Sequence, residues 1–206
     1  MILIGLKKPS FMKTLNCILL LLFCSVANSQ VLNSKFDSKN HPKAKGVWAT
    51  VRYPSAWEVK EGERPNIVKK FSGNYNDMFV ILSLQILDAG GEVEKECSDM
   101  PTSEFAEIYS DKSINQIATN VKKTKHEGKP AFLFDLRGTY ERAGMSFTTI
   151  HRAMTVCHKN TMISTWCSPM KFDYTKQSII SNTQQLLAAN PLCFQFFNSL
   201  VLMENY

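Results

Sequence analysis

From Gly46 onward, apolar and polar positions alternate in runs of strand length. In "GVWATVRYP" (46–54), Val47, Ala49, Val51 and Tyr53 share one side, and Pro54 closes the run. "NIVKKFSG" (66–73) predicts a short second strand. "DMFVILSLQILDAGG" (77–91) is the strongest strand signal, with Val80, Leu82, Leu84 and Ile86 on one face and Phe79, Ile81 and Leu87 on the other. Two apolar faces predict a central strand covered on both sides, and Gly90-Gly91 ends it. The period then changes. In "CSDMPTSEFAEIYSDKSINQIATN" (97–120), Thr102 or Ser103 is placed to cap a helix whose stripe is Phe105, Ile108 and Tyr109.

A meander follows. "KPAFLFDLRGTYER" (129–142) puts Phe132, Phe134 and Leu136 on one face, and Ala143-Gly144 turns it. "MSFTTIHRAMTVCH" (145–158) and "TMISTWCSP" (161–169) form a hairpin through Lys159-Asn160. Asp173 is the expected N-cap of a last helix carrying Ile179, Ile180, Thr183, Leu186 and Leu187, which stops at Asn190-Pro191. The tail "LCFQFFNSLVLMENY" is apolar enough to dock, as a short helix and a strand-like piece. This order predicts an α+β fold, a sandwich with a largely antiparallel sheet. Within it, Pro54 ends the first strand by removing a donor, and Trp57 folds back to cover the sheet end by burial. A surface Trp57 that binds a ligand is the competing reading.

The first residues stand apart from this texture. Lys7, Lys8 and Lys13 precede an apolar run from Cys17 to Val26, and Ala27-Asn28-Ser29 supplies small residues for a cut. That is the anatomy of a signal peptide over 1–29, and the run is well short of the roughly 20 residues of a membrane-spanning helix. Translation from Met12 gives the same anatomy. Residues 30–46, polar and Lys-rich, are expected to be a flexible lead-in to a single domain over 47–206.

Cleavage removes three lysines and no acids, lowering the formal charge from +6 to +3. With no long Lys/Arg block, nucleic acid is not an expected partner. "VKKTKHEGK" (121–129) is the densest basic stretch and reads as a solvated strand edge. Four cysteines survive cleavage: Cys97, Cys157, Cys167 and Cys193. An even number in an exported chain predicts two disulfides with three connectivities. A helix running back antiparallel to the strand that ends at Cys167 would bring Cys193 beside Cys157. That favours Cys157–Cys193 and leaves Cys97–Cys167.

Catalytic chemistry finds no constellation. His151 and His158 flank one strand and by alternation point to opposite faces, so they share no metal. His41 and His126 sit in polar segments. Cys157-His158 are strand neighbours facing opposite ways, serine lacks a nucleophile elbow, and neither paired carboxylates nor a phosphate-cradling glycine cluster is present. No catalytic residue, metal ligand or cofactor site is assigned. Met145, Met154, Met162, Met170, Met203, Phe194, Phe196 and Phe197 read as core, or as an apolar groove between the last helix and the sheet.

Taken in order, "YPSAW" (53–57), "IVKKFSG", the long apolar strand, a short helix, the Gly-x-Pro-Ala entry at 128–131 with its long hairpin, a helix and the closing "FQFFNSLVLM" (194–203) resemble the PsbP/Mog/DcrB-like superfamily over about 46–203. The resemblance implies an α-β-α sandwich acting as a non-catalytic accessory or binding module, with no catalytic residue to carry over. Members serve as photosystem subunits, as a small-GTPase binder and as envelope proteins or chaperones. The expectation is therefore an exported, periplasmic or secreted bacterial envelope protein that works by protein–protein contact. A carrier or chaperone with an apolar groove for lipid or a hydrophobic segment, and an exported enzyme with an unrecognised site, are the alternatives.

Overall fold

A computed structural model describes residues 32–142, 145–173, 175 and 178–203. The expected signal peptide and the Ala143-Gly144 turn lie outside the described residues. Eleven strands and three α-helices form two sheets among the described residues. A small sheet has the order β1-β2-β11, from β1 (Ser34–Asp37), β2 (Ala49–Tyr53) and β11 (Val201–Leu202). The main sheet has the order β3-β4-β5-β9-β10-β8-β7-β6. Its strands are β3 (Glu58–Glu61), β4 (Ile67–Tyr75), β5 (Met78–Asp88), β6 (Ile117–His126), β7 (Lys129–Arg142), β8 (Met145–His158), β9 (Thr161–Asp173) and β10 (Ser178–Ile180). Every pairing is antiparallel except β10 with β8.

Three tight turns fix the register of the hairpins. Asn76-Asp77, Glu127-Gly128 and Lys159-Asn160 each leave a two-residue loop between paired ends, and Asn76, Glu127, Gly128 and Lys159 all have positive φ. Such loops match the twist of the strands they join.

Strand alternation then sorts side chains to two faces. On the first face, Val68, Phe71, Val80, Leu82, Leu84, Ile86 and Ile163 meet the small sheet and α3 (Thr183–Asn198) in one core. On the second, Phe132, Phe134, Ala153 and Met162 meet α1 (Val93–Asp99) and α2 (Thr102–Tyr109) in another. The layering is helix, sheet, helix, an α+β sandwich with a largely antiparallel sheet.

Trp57 is buried on the first face, just after a turn in which its N–H donates to the Pro54 carbonyl. This turn passes the chain from the small sheet to the main one. The indole lies on Gly73, where a Cβ would approach Trp57 Cδ1 to 2.6 Å, so the ring needs a residue without a side chain beneath it. Tyr53 stacks on Phe71 with ring centroids 4.3 Å apart.

Several expectations are corrected. The lead-in expected to be flexible contains β1, whose Phe36 packs edge-on against Phe71, and Ala44 is buried beyond it. β5 is not covered on both sides: Val80, Leu82, Leu84 and Ile86 are fully buried, whereas Phe79 and Leu87 are 42% and 49% exposed. Asp173 ends β9 instead of capping a helix. Asn182 caps α3, accepting from Gln185 N while the Gln185 side chain accepts from Asn182 N. Pro191 lies inside α3. An internal proline costs about 3 kcal/mol, and burial of Leu192, Cys193, Phe196 and Phe197 beyond it offsets that cost and carries the helix on.

The disulfides join Cys97 to Cys157 and Cys167 to Cys193, with Cα separations of 6.4 and 5.4 Å, in place of the expected Cys97–Cys167 and Cys157–Cys193. Strand pairing supplies the reason. β5 runs antiparallel to β9 with Asp88 opposite Thr161, so the chain leaves β5 beside the β8–β9 turn, and α1 sets Cys97 over Cys157. Cys167 faces the other way, toward α3.

Candidate functional site

The two faces of the main sheet are covered unequally. α1 and α2 stand over β6, β7 and β8 and reach the near side of β9. Phe105 stacks on Phe132 with centroids 4.0 Å apart, and Tyr109 reaches Phe134 at 4.6 Å and Trp166 at 6.3 Å. Beyond that line, the same face of β9 and β5 presents Trp166, Ser168 and Met170, paired with Ser83, Ile81 and Phe79, and farther on Leu87. Phe79 is exposed and Ile81 and Met170 half-buried, which makes an apolar floor at one end of this face without a helix on it among the described residues; Ser83 and Gln85 separate it from the exposed Leu87 at the other end.

The wall beside this floor comes from the helices. Ala106 and Ser110 of the α2 segment face β6, where Ser110 Oγ accepts from Ala118 N. Helical spacing therefore puts Glu104 and Ile108 on the opposite flank of α2, and Ile108 is 58% exposed. In α1, Val93 and Cys97 face the sheet, and Glu94 turns to the β7 side, where it pairs with Lys129 at 3.0 Å. Glu92, Glu96 and Asp99 are exposed; Glu92 pairs with Lys95 at 3.5 Å, and Asp99 lies by the β6 side, where Lys123 donates to the Ser98 and Met100 carbonyls.

Where the wall meets the floor, His151 Nδ1 and Ser168 Oγ share a 2.7 Å hydrogen bond, and the Trp166 ring lies edge-on to the imidazole with centroids 6.2 Å apart. Burial pushes the imidazole down to about 4, so it is neutral at neutral pH. A hydrolytic triad needs a carboxylate orienting the histidine. The buried carboxylate of the neighbouring strands, Asp135, points to the opposite face. There it takes both arms of Arg152 at 2.7 and 2.9 Å and the Asn120 amide at 2.9 Å, while Arg152 also donates to Asn190 and ties α3 to the sheet. The Trp166 Nε1 and Thr149 Oγ1 atoms are buried without a hydrogen-bond partner. Tyr109 Oη meets Thr155 Oγ1 at 3.3 Å, and burial raises its phenol above the usual range.

The remaining histidines serve structure. His41 Nε2 lies 3.0 Å from Glu61, and His126 Nε2 donates to the Leu200 carbonyl at 2.8 Å. His158 Nδ1 is 3.6 Å from Glu94 Oε2. Burial works against the Glu94 carboxylate, but the Lys159 N–H and the Lys129 ammonium hold it below the usual carboxylate range. Among the described residues no group of three or more His, Cys, Asp or Glu is arranged to hold a metal ion. The basic stretch 121–129 runs along β6, an outer strand, and through its turn into β7, and Lys123 donates to the carbonyls of Ser98 and Met100.

The groove expected between the last helix and the sheet is filled. Leu186, Leu192, Phe196 and Phe197 are buried there and the Cys167–Cys193 bridge clamps the layer. Of the Met and Phe residues named from the sequence, Met154, Met162, Phe196 and Phe197 are core, Met170 lies on the floor, and Phe194 is 38% exposed under Arg152. Sequence reasoning did not single out the acidic run over α1 and α2, although its signal is plain: within 92–111, Glu92, Glu94, Glu96, Asp99, Glu104, Glu107 and Asp111 stand against Lys95 alone.

No family model and no curated protein matches this chain. Among solved structures, it is similar to the solution structure of cyanobacterial PsbP (CyanoP) from Synechocystis sp. PCC 6803, at 12% identity and a TM-score of 0.49, over 82% of this chain and 91% of that one. No helix among the described residues is long and apolar enough to cross a membrane.

Proposed function

We propose that this is an exported, non-catalytic accessory protein of the bacterial envelope that works by docking a protein partner on the open half of its main sheet. The observation that carries the reading is the one-sided cover of β5. Its inner face is wholly buried, while on its outer face Phe79 is exposed, Ile81 is half-buried and Met170 of β9 stands opposite Phe79. Exposed apolar groups of this kind mark contact surfaces. Both outer strands of the main sheet are charged, with "EVKE" in β3 and "VKKTK" in β6, which disfavours pairing through an edge and favours contact through the face. Two disulfides suit an oxidising compartment, in keeping with the signal-like N-terminal sequence.

The test is site-specific photo-cross-linking in the producing cell, with the photoreactive residue at position 81 and, as control, at Lys39 in the loop after β1. A discrete protein adduct from position 81 and none from position 39 is the expected result. A lipid adduct from position 81 would shift the assignment to a carrier. No adduct above the control would overturn the docking reading.

A further inference from the structure

We infer that a second contact surface lies on the first face of the main sheet, in the trough between the flank of α3 and β6, and that its occupant is an acidic amphipathic segment of a protein partner. It is independent of the docking reading, which uses the other face. Thr183, Leu187, Asn190 and Phe194 recur at helical spacing and share one stripe of α3. Contacts fix where that stripe looks. Arg137 of β7 donates to Thr183 Oγ1 at 3.5 Å, Arg152 of β8 donates to Asn190, and the Arg152 guanidinium lies over the Phe194 ring, 5.9 Å from its centroid. The stripe therefore faces along the sheet toward β7 and β6. Leu186, Ala189, Cys193 and Phe196, which seat α3 on the core, lie round the helix from it, and Leu187 is left 56% exposed.

Strand pairing supplies the rest of the trough. Ile117 stands opposite Arg137, Lys122 opposite Leu133, and Asn120 donates to Asp135. Lys123 reaches the Ser98 and Met100 carbonyls on the other face, so by alternation its neighbour Lys122 belongs to this one. Arg137 and Lys122 are exposed, as is Ile117 on the outer strand. At one end Arg137 also lines a cavity of about 430 Å³ with Ile150, Ile180 and Thr183.

The charge of the occupant follows from what is left unpaired. α3 carries no charged residue. Residues 117–137 hold five Lys or Arg and two acids. Of the acids, Glu127 accepts from Leu202 N beyond the trough, and Asp135 is buried with both arms of Arg152 on it. Arg137 and Lys122 therefore set a positive field between two apolar borders. Carboxylates laid against them complement it, lysines are rejected, and Leu187, Phe194 and Ile117 supply adhesion. The Asn120, Asp135 and Arg152 groups across the middle of the trough suit a peptide with polar side chains, since a continuous acyl chain would strip them of water.

The experiment uses the folded protein and three fluorescent helical peptides of matched length, built from leucine with glutamate, with lysine or with glutamine. The glutamate peptide is expected to bind about tenfold tighter than the lysine peptide near 0.1 M salt, with the gap shrinking as added salt shortens the screening length. In K122Q/R137Q the gap closes to within about twofold, and in Leu187→Ser all binding weakens. The control is K35Q/R52Q, which removes the same charge from an exposed cross-strand pair on the small sheet and is expected to keep the gap. All these side chains are exposed, and circular dichroism checks that each variant is folded. Equal loss of the gap in both double variants would reduce the effect to net charge and overturn the inference. Equal binding of the three peptides, or no binding, overturns it as well, and binding to phosphatidylglycerol vesicles in place of the glutamate peptide would reassign the trough to lipid. Phe79→Ala should leave glutamate-peptide binding unchanged; a loss there would place the contact on the other face.

Discussion

Two regions of one sheet were built from the same strand grammar and finished differently. On the first face, α3 runs from Thr183 to Asn198 and, with the small sheet, closes over β4, β5 and β9 completely. On the second, α1 and α2 are short, span Val93–Asp99 and Thr102–Tyr109, and cover only the β6–β8 half and the near edge of β9. Each face has one helix pinned by one disulfide. What differs is cover, and the uncovered apolar end of the second face is the surface proposed for docking. Burial is the property that separates scaffold from site here, since the strand residues on either face are chemically alike.

The largest test of that comparison is a matched pair of truncations. Phe196→Ala on the closed face is expected to cost about 3–5 kcal/mol of unfolding free energy, because a fully buried ring leaves a cavity. Phe79→Ala on the open face is expected to cost under about 1 kcal/mol, since the ring is already 42% exposed. Urea unfolding of both variants measures the difference, and equal losses would mean that the open face is covered in solution.

The bridges come next. Replacing Cys97 and Cys157 by serine, or Cys167 and Cys193, should each cost about 2–4 kcal/mol. The first pair closes a separation of 60 residues and the second 26. Loop-closure entropy therefore predicts a loss larger by about 0.7 kcal/mol for Cys97–Cys157. Denaturant midpoints of the two double variants decide it. A greater loss for the second pair would show that its buried packing outweighs chain entropy.

Acid should act on the two faces unequally. His151 is buried neutral on the second face with its pKa lowered to about 4, below the ordinary 6.5. Between those values the unfolded chain binds the proton and the folded chain does not, so stability rises with pH across that window. Falling from pH 6.5 to 4 should remove on the order of 2–3 kcal/mol. A His151→Gln variant should flatten the slope, read as unfolding free energy against pH. Below 4.5 Glu94 adds to the loss in both proteins, because its depressed pKa stabilises only while the carboxylate is charged. An unchanged slope in the variant would mean that the imidazole is hydrated. The smallest effect is expected at the helix end that closes the first face: Asn182→Ala removes the capping box and should cost about 1 kcal/mol, with no change in cross-linking from position 81 on the open face.

Much of the fold was legible in alternation. β2, β5 and the β7–β8–β9 meander stand where Val, Ile, Leu and Phe recur at every second position. The Lys159-Asn160 turn, and the Phe105 and Tyr109 stripe of α2, follow the same local rules. β1 was not legible, and β6 only as a basic strand edge from Val121, because "SKFD" and "IATNVKKTKH" are polar and hold their places by pairing with β2 and β7. Pro191 misled for a related reason: local backbone chemistry stops a helix there, and tertiary burial of Phe196 and Phe197 overrides it.

The sequence by itself determined the alternation that makes the strands, the two-residue turns that set their register and the even set of cysteines in a chain with a signal-like start. These are local properties, set by side-chain periodicity and backbone φ. Only the tertiary structure decided which cysteines meet and which half of β5 faces solvent, since both depend on strand order and on where the connection after β5 lands. Coverage is a relation between elements far apart in the chain, and no local pattern encodes it.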